Sequence, residues 1–527
     1  MLNGELDQTL IQALLNPACY AHPVDSVLLK ETHISWLLLA GDFVYKIKKP
    51  VDFGFLDFTD LGRRHFFCQE ELRLNRRLAA GLYLEVIAIG GSTEKPVLGL
   101  KPAIEYAVKM QRFAEAQLLD HLLTDDRLKV KHLNRLAATL AQFHHDLPSA
   151  AVDCGFGNSD AIALPARQNF QQLSMLLGAA YADRLAKLQA ASEQEYLHCL
   201  PTFKNRQELG WIKECHGDLH LGNIVLLDEQ PTPFDGIEFN ADLRWIDVLN
   251  DIAFLVMDLH QRQRPDFAFA FLNAYLEISG DYAGLSVMRF YLGYRAMVMA
   301  KVSAIRTLQV KGELTQCHAY LALSEHFYAP NQPVLLITQG LPGCGKSTLA
   351  QIVLEKYQFI RIRSDVERKR LFGLQAHQNS GDGEDIYTES ATERTYQQLL
   401  DLSRHILQSG FSVIVDAAFL KQAERQQFSG LANQLDVPFA ILHIQSDEAL
   451  HHQRIRQRQV ENLDASEADI GVYELLKSAR ETLTDDERQA AFEVMNNGDI
   501  DQLIKNQPLW NALEQGLGLS PHKPCSS

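Results

Sequence analysis

Two short runs carry residue types and spacings suited to handling phosphate. In His216-Gly217-Asp218-Leu219-His220-Leu221-Gly222-Asn223 an aspartate precedes an asparagine with the spacing D-x-x-x-x-N. That spacing lets one loop supply a base for an acceptor hydroxyl, Asp218, and a Mg²⁺ ligand, Asn223. The second run, Gly340-Leu341-Pro342-Gly343-Cys344-Gly345-Lys346-Ser347, reads G-x-x-x-x-G-K-S and is followed by Thr348. Glycines in such a loop let backbone N–H groups face phosphates at a helix N-terminus. Lys346 would reach the β- and γ-phosphates, and the Ser347 hydroxyl would ligate Mg²⁺. One fold rarely needs both runs, so two phosphoryl-transfer modules in tandem are expected.

Further residues fall where the second module needs them. Arg363-Ser364-Asp365 closes an apolar strand, and a carboxylate there points out of the sheet's C-terminal edge. Asp365 is the candidate acceptor of the attacking hydroxyl's proton. Val413-Ile414-Val415-Asp416 is an apolar strand ending in an acid, a pattern that supports Mg²⁺. Arg454 and Arg458 are four apart on an expected helix, share a face, and could close over the transferring group. Cys344 reads as a small loop residue, with an acidified, redox-sensing thiol as the minor alternative.

The elements that must position these residues are partly legible. Residues 1–22 read as a helical lead-in, and 24–51 as strands with a Gly41-Asp42 hairpin turn. Asp60 to Ala80 and Glu115 to His145 have helical period, whereas Ala150 to Pro165 reads as a loop. A strand-rich block spans 214–239, and helices resume from 246 to about 327. Ala329-Pro330-Asn331-Gln332-Pro333 is the best linker, dividing a domain over 1–328 from one over 334–527. Beyond it strands alternate with helices, which predicts a parallel sheet sandwiched by helices. The fold class expected is α/β with two domains.

Composition restricts partners. The chain has 527 residues, with 50 Lys+Arg against 66 Asp+Glu and a formal charge of -16. Nucleic acid and anionic membrane are therefore disfavoured as general partners. The opening residues lack the basic region of a signal peptide, and no apolar run approaches membrane-spanning length. Eight cysteines lack metal-ligand spacing and are expected to be free thiols. Cytoplasmic residence is the resulting expectation; oligomeric state is not legible.

Both halves resemble known families. The segment from Gly340 to about Arg458 resembles P-loop kinases often described as AAA family ATPases, with zeta toxins, chloramphenicol phosphotransferase and the kinase domain of phage polynucleotide kinase as relatives. The resemblance implies that Arg363-Ser364-Asp365 carries the substrate-side base, with Arg368 nearby. Val24 to about His326 resembles the aminoglycoside phosphotransferase family, an α+β bilobal, protein-kinase-like fold that includes choline kinase-like enzymes. Its hallmark is H-G-D-x-x-x-x-N. The resemblance implies that Val44-Tyr45-Lys46-Ile47-Lys48 is the strand bearing the phosphate-binding lysine. Lys46 is preferred to Lys48, with Glu71 as ion-pair partner. It implies a metal-binding acid in Phe234-Asp235-Gly236-Ile237-Glu238-Phe239. Glu238 is preferred, although Asp is usual there, and Asp235 stays open. It also implies an adenine-gripping hinge at 105–110 and an acid, Asp251, that holds the catalytic loop.

The leading expectation is an ATP- and Mg²⁺-dependent bifunctional phosphotransferase, each module acting on a hydroxyl of a small molecule. A toxin- or repair-like kinase of nucleotide sugars or polynucleotide ends is the second reading. The third is an N-terminal pseudokinase that senses a ligand and regulates a P-loop ATPase.

Overall fold

The structure, a computed structural model, describes residues 2–52, 54, 56–376, 378, 381, 386–461 and 466–520. Contacts divide the chain into two compact units: Met1–Leu164 with Phe203–Leu255, and Pro165–Thr202 with Val256–Ser527.

The first unit is built on an antiparallel sheet with strands β1 (Val27–Glu31), β2 (Ser35–Ala40), β3 (Phe43–Lys48), β4 (Tyr83–Gly91), β5 (Pro96–Leu98) and β6 (Ala103–Gln111). Their order is β1-β2-β3-β6-β4-β5. The expected hairpin joins β2 to β3, with Ala40 opposite Phe43 and Gly41 at φ +58°. A Cβ at Gly41 would stand 2.6 Å from the Pro23 carbonyl oxygen, so chain approach as well as backbone angle selects glycine. The helix Leu61–Ala79 is capped by Asp60, whose carboxylate accepts the Arg63 N–H at 3.1 Å. It packs on β4 and β6 and buries Glu71, Leu74 and Asn75. Two small ladders follow: β7 (Ile212–Glu214) with β10 (Trp245–Asp247), and β8 (Ile224–Leu227) with β9 (Gln230–Pro233).

Three local expectations are corrected. Residues 150–165 are not all loop: the helix Ser159–Leu177 begins inside them and runs through Pro165. The Asn158 side chain accepts the Ala161 N–H, and burial of Ala163, Ala166, Phe170 and Leu173 outweighs the bond lost at proline. The stretch from Glu115 to His145 is broken, with helices Leu119–Thr124 and Val130–Asp146 separated at Asp126, whose φ is 55°. The segment 105–110 is an interior strand, not a hinge. It lies in β6, which pairs with β4 and, from Ala107 to Gln111, also with β3, while the Tyr106 N–H is taken by the Glu105 carboxylate at 2.9 Å.

The second unit contains the parallel sheet. Its strands are β11 (Leu335–Gln339), β12 (Ile360–Arg363), β13 (Val413–Asp416), β14 (Phe439–Gln445) and β15 (Ala491–Met495), in the order β12-β13-β11-β14-β15. All four pairings are parallel. Leu336, Ile414, Ala440, Leu442, Ile444 and Val494 join the helices Lys346–Tyr357 and Gln507–Leu517 in one core around the fully buried Trp510. β15 escapes the sequence pattern because its five residues, Ala491-Phe492-Glu493-Val494-Met495, carry only one fully buried side chain.

The β12 edge of this sheet is covered by the helix Pro265–Ser279. There the Asn273 side chain accepts the Arg361 N–H at 2.6 Å and donates to the Phe359 carbonyl at 2.9 Å. One amide thus replaces a missing neighbour strand, satisfying backbone groups that an open edge leaves unpaired. Among the described residues no helix is long and apolar enough to cross a membrane.

Candidate active sites

The first site is assembled on the turn between β7 and β8. Asn223 donates from Nδ2 to the Asp218 carbonyl at 3.0 Å and to Asp218 Oδ2 at 2.9 Å, so the two ends of the D-x-x-x-x-N run are locked together. Beneath them the buried Asp251 accepts the N–H groups of His216 at 3.1 Å and Gly217 at 2.8 Å. Its Oδ2 also meets His144 Nε2 at 3.2 Å. Burial opposes the Asp251 charge, yet the His144 contact and these amides bring its pKa down to about 2. Asp251 is therefore a fixed anion that shapes the loop. His216 packs beneath the loop with its Nε2 2.9 Å from the Phe234 carbonyl oxygen, and burial lowers its pKa. His220 Nδ1 accepts the Gly222 N–H.

Alternation along β3 sends Lys46 and Lys48 to one face, where Glu71 takes one lysine on each carboxylate oxygen, both at 2.7 Å. Lys46 also meets Asp235 at 2.5 Å, and Lys48 meets Glu238. Burial works against both ammonium groups. Asp235 and Glu71 nonetheless hold Lys46, and Glu238 and Glu71 hold Lys48, above the ordinary lysine range. The two acids differ in access. The Asp235 side chain is 42% exposed on a backbone at φ 61°, whereas Glu238 is buried and committed to Lys48. The preference for Glu238 as metal ligand is therefore revised: Asp235 is the acid with accessible oxygens beside Lys46. Sequence pattern favoured Glu238 for its apolar neighbours, but that pattern does not show that its carboxylate is buried against Lys48.

The second site lies at the C-terminal ends of β11, β12 and β13. Gly343 and Gly345 hold φ values of +83° and +97°, which side-chain-bearing residues rarely adopt. The helix Lys346–Tyr357 starts directly after them, with Ser347 and Thr348 in its first turn. Lys346 Nζ donates to the Leu341 carbonyl at 3.0 Å, and Gly340 N–H to the Ala418 carbonyl at 3.1 Å. Arg454, on the helix Glu448–Glu461, donates to the Gly343 carbonyl at 3.4 Å and the Gly498 carbonyl at 3.1 Å. The side chain of Arg458 lies outside the described residues. Asp365 sits in the first turn of the helix Ser364–Leu371, next to the end of β12. Asp416 ends β13, buried, in register with Arg363; its Oδ2 takes no hydrogen bond among the described residues. Cys344 is fully buried, and burial pushes its thiol pKa up, which removes the acidified-thiol reading.

Sequence reasoning missed two participants here, Asn496 and His451, and the ion pair of a third, Arg363. Asn496 follows β15 and donates from Nδ2 to the Cys344 carbonyl at 2.8 Å. His451 lies against the loop: a Cβ on Gly343 would stand 2.8 Å from its carbonyl oxygen. Burial, with Lys346 and Arg454 next, lowers its pKa to about 4. Arg363 places Nε 3.7 Å from Asp416 Oδ2. Asn496 and His451 have no motif signal and are recruited by the fold, whereas Arg363 lies in the Arg363-Ser364-Asp365 run.

Two family models match different parts of the chain. A family model described as "Phosphotransferase enzyme family" matches residues 54–291, and one described as "AAA domain" matches 335–483. The chain is 32% identical over 418 residues to the uncharacterized protein Rv2004c of Mycobacterium tuberculosis, covering 76% of this chain and 80% of that one. A Mycobacterium bovis protein, also uncharacterized, matches to the same extent. Among solved structures, the GDP and kanamycin complex of APH(2")-IIia is 14% identical, covers 60% of this chain and 98% of its own, and has a TM-score of 0.38. An unliganded sugar kinase from Janibacter sp. HTCC2649 is 17% identical, covers 34% and 95%, and has a TM-score of 0.25.

Proposed function

Because the chain belongs to one family with the M. tuberculosis protein and joins a phosphotransferase-family domain to a P-loop kinase-like AAA domain, we propose that it is a bifunctional ATP- and Mg²⁺-dependent phosphotransferase. Each module passes the γ-phosphoryl group of ATP to a hydroxyl of a small molecule. The observation that carries this is the first site's closed constellation: Asp218 locked to Asn223, Asp251 under the loop, and Lys46 paired with Glu71.

The donor sets fit the groups they must hold. Asn223 and Asp235 offer oxygens for a divalent ion in the first module, and Ser347 and Asp416 in the second, where the Asp416 Oδ2 is the unsatisfied acceptor. Mg²⁺, when bound, supplies positive charge that offsets charge developing on the phosphates. Asp218 and Asp365 accept the proton of the incoming hydroxyl in their respective modules. Lys46, Lys346 and Arg454 orient and neutralise the triphosphate, with Arg458 as a second lid arginine. Positioning and electrostatics do most of the catalytic work in such transfers.

A pseudokinase would be favoured if a Glu stood where Asp is usual in the metal site, but Asp235, not Glu238, stands at the accessible position beside Lys46. The net charge of -16 also favours a small acceptor over a polynucleotide end. The test is an acceptor screen with labelled ATP, run on wild type, Asp218→Asn and Lys346→Ala. Each substitution should remove one set of phosphorylated products and spare the other. Full retention of both sets in both variants would sink the proposal.

A further inference from the structure

Asn496 stands directly after β15, and its N–H donates to the Gln445 carbonyl at 2.7 Å, which carries the pairing with β14 one step further. Its neighbours are tied as well. The Asn497 side chain accepts the Asp447 N–H at 2.8 Å, just before the helix Glu448–Glu461, and the Gly498 carbonyl accepts from Arg454 at 3.1 Å. A segment held in this way delivers the Asn496 amide, 4% exposed, to the Cys344 carbonyl 2.8 Å away.

That bond decides the orientation of one peptide. In the planar, trans unit between Cys344 and Gly345 the C=O and the N–H point in opposite directions. With the carbonyl on Asn496, the Gly345 N–H faces away from it, at the start of the helix Lys346–Tyr357. It meets no acceptor among the described residues. Such N–H groups are what a P-loop offers to phosphate. Gly345 does not impose this orientation itself. Glycine takes positive and negative φ about equally well, so the peptide can turn over at small energetic cost and put an oxygen where the N–H should be. No other donor among the described residues reaches the Cys344 carbonyl.

We propose that Asn496 is a positioning residue for the P-loop: its amide pins the Cys344 carbonyl so that the Gly345 N–H is presented to the phosphates of the nucleotide. The inference rests on the reading of Gly340 to Ser347 as the ATP-binding loop. It assigns the polarity of that loop to a residue some 150 positions downstream in the chain. Without the amide the loop keeps its glycines and Lys346, but an oxygen competes with an N–H for the place facing the phosphate.

The experiment measures ATP binding by the full chain with Mg²⁺, read by calorimetry, and assigns to the P-loop the part abolished by Lys346→Ala. Asn496→Ala should weaken that part about tenfold, the scale of one hydrogen bond to a charged group. Asn496→Asp should weaken it further at about pH 8, since an ionised carboxylate repels the Cys344 carbonyl. At about pH 5 the acid, its pKa raised by burial, carries a proton it can donate, and binding should return toward the wild-type value at that pH. Asn496→Ala should show no such return. Circular-dichroism melts identify a variant that does not fold. If Asn496→Asp is one, inorganic triphosphate competing with ATP decides on Asn496→Ala: its affinity should fall by the same factor as that of ATP, and an unchanged value overturns the inference. Equal losses for Asn496→Ala and Asn496→Asp at both pH values, or no loss in either, overturn it while the P-loop reading stands. If Lys346→Ala removes no ATP binding, the P-loop reading falls and takes the inference with it.

Discussion

Replacing Lys48 and Lys46 separately by methionine should give opposite phenotypes. Two cations face three carboxylates in this cluster, Glu71, Asp235 and Glu238. The Lys48 and Glu71 side chains are wholly buried and Glu238 nearly so. Lys48→Met leaves Glu71 with one partner and Glu238 with none from this strand, so the expected cost is about 3–5 kcal/mol, the range for breaking a buried ion pair. Lys46→Met is milder. Lys48 still holds Glu71, and the exposed Asp235 can turn to water, so the cost should be about 1 kcal/mol. Native-state hydrogen exchange on peptides covering Phe43–Lys48 reads the opening free energy of the strand directly. The part of ATP binding that survives Lys346→Ala should rank in the other sense once stability is allowed for: lost when Lys46→Met is added and retained by the folded fraction when Lys48→Met is added. A Lys48→Met/Glu238→Gln double variant should recover part of the loss, since it removes one uncompensated charge. Equal destabilisation by the two single variants, or none from Lys48→Met, would refute the assignment of Lys48 to structure and Lys46 to ligand.

Asp251→Asn should lower turnover by the first module roughly 10–100-fold, as supporting residues commonly do, with steady-state kinetics as the check. The Asp251 pKa lies near 2 in the folded chain, below the ordinary value of about 4, so its stabilisation is complete above the unfolded value and drains as pH falls through 2. Acid unfolding of the Asn variant should accordingly be less steep across that window. Gly345→Ala forces a side chain onto φ +97° and puts its Cβ 2.1 Å from Asn496 Nδ2, so Lys346-dependent ATP binding should vanish. Gly373→Ala, at φ +70° in open space, should cost stability while sparing that binding. Peptide-level mass spectrometry after brief labelling with a thiol reagent at neutral pH should find the exposed Cys154 modified and Cys344 intact.

Chemistry that depends on contiguous residues was the most legible. The P-loop needs a strand, glycines and a helix start in one run, and β11, Gly343, Gly345 and the helix from Lys346 follow in that order. The same holds for Asp218 and Asn223, whose side chains bond across their own loop. Choices between neighbouring residues failed where burial decides function. Glu238 and Asp235 differ by three positions and look equivalent as letters, but only packing tells which carboxylate is spent on a lysine. Pro165 misled because proline is a local signal and helix burial is not. Contacts between distant segments, such as Asn273 with β12 or Asn496 with the P-loop, have no local pattern to read.

The amide clasp at β12 bears on how this polypeptide can be divided. The Ala329–Pro333 stretch looks like a natural cleavage point, but severing there and discarding what precedes it strips Asn273 and Glu277 from the sheet. The remaining fragment would display a raw strand edge without the Asn273 amide, ready to stick to its own kind. Expression of the latter portion should begin upstream of Pro265 to stay dispersed, and limited proteolysis near residue 330 should yield halves that remain associated rather than drift apart.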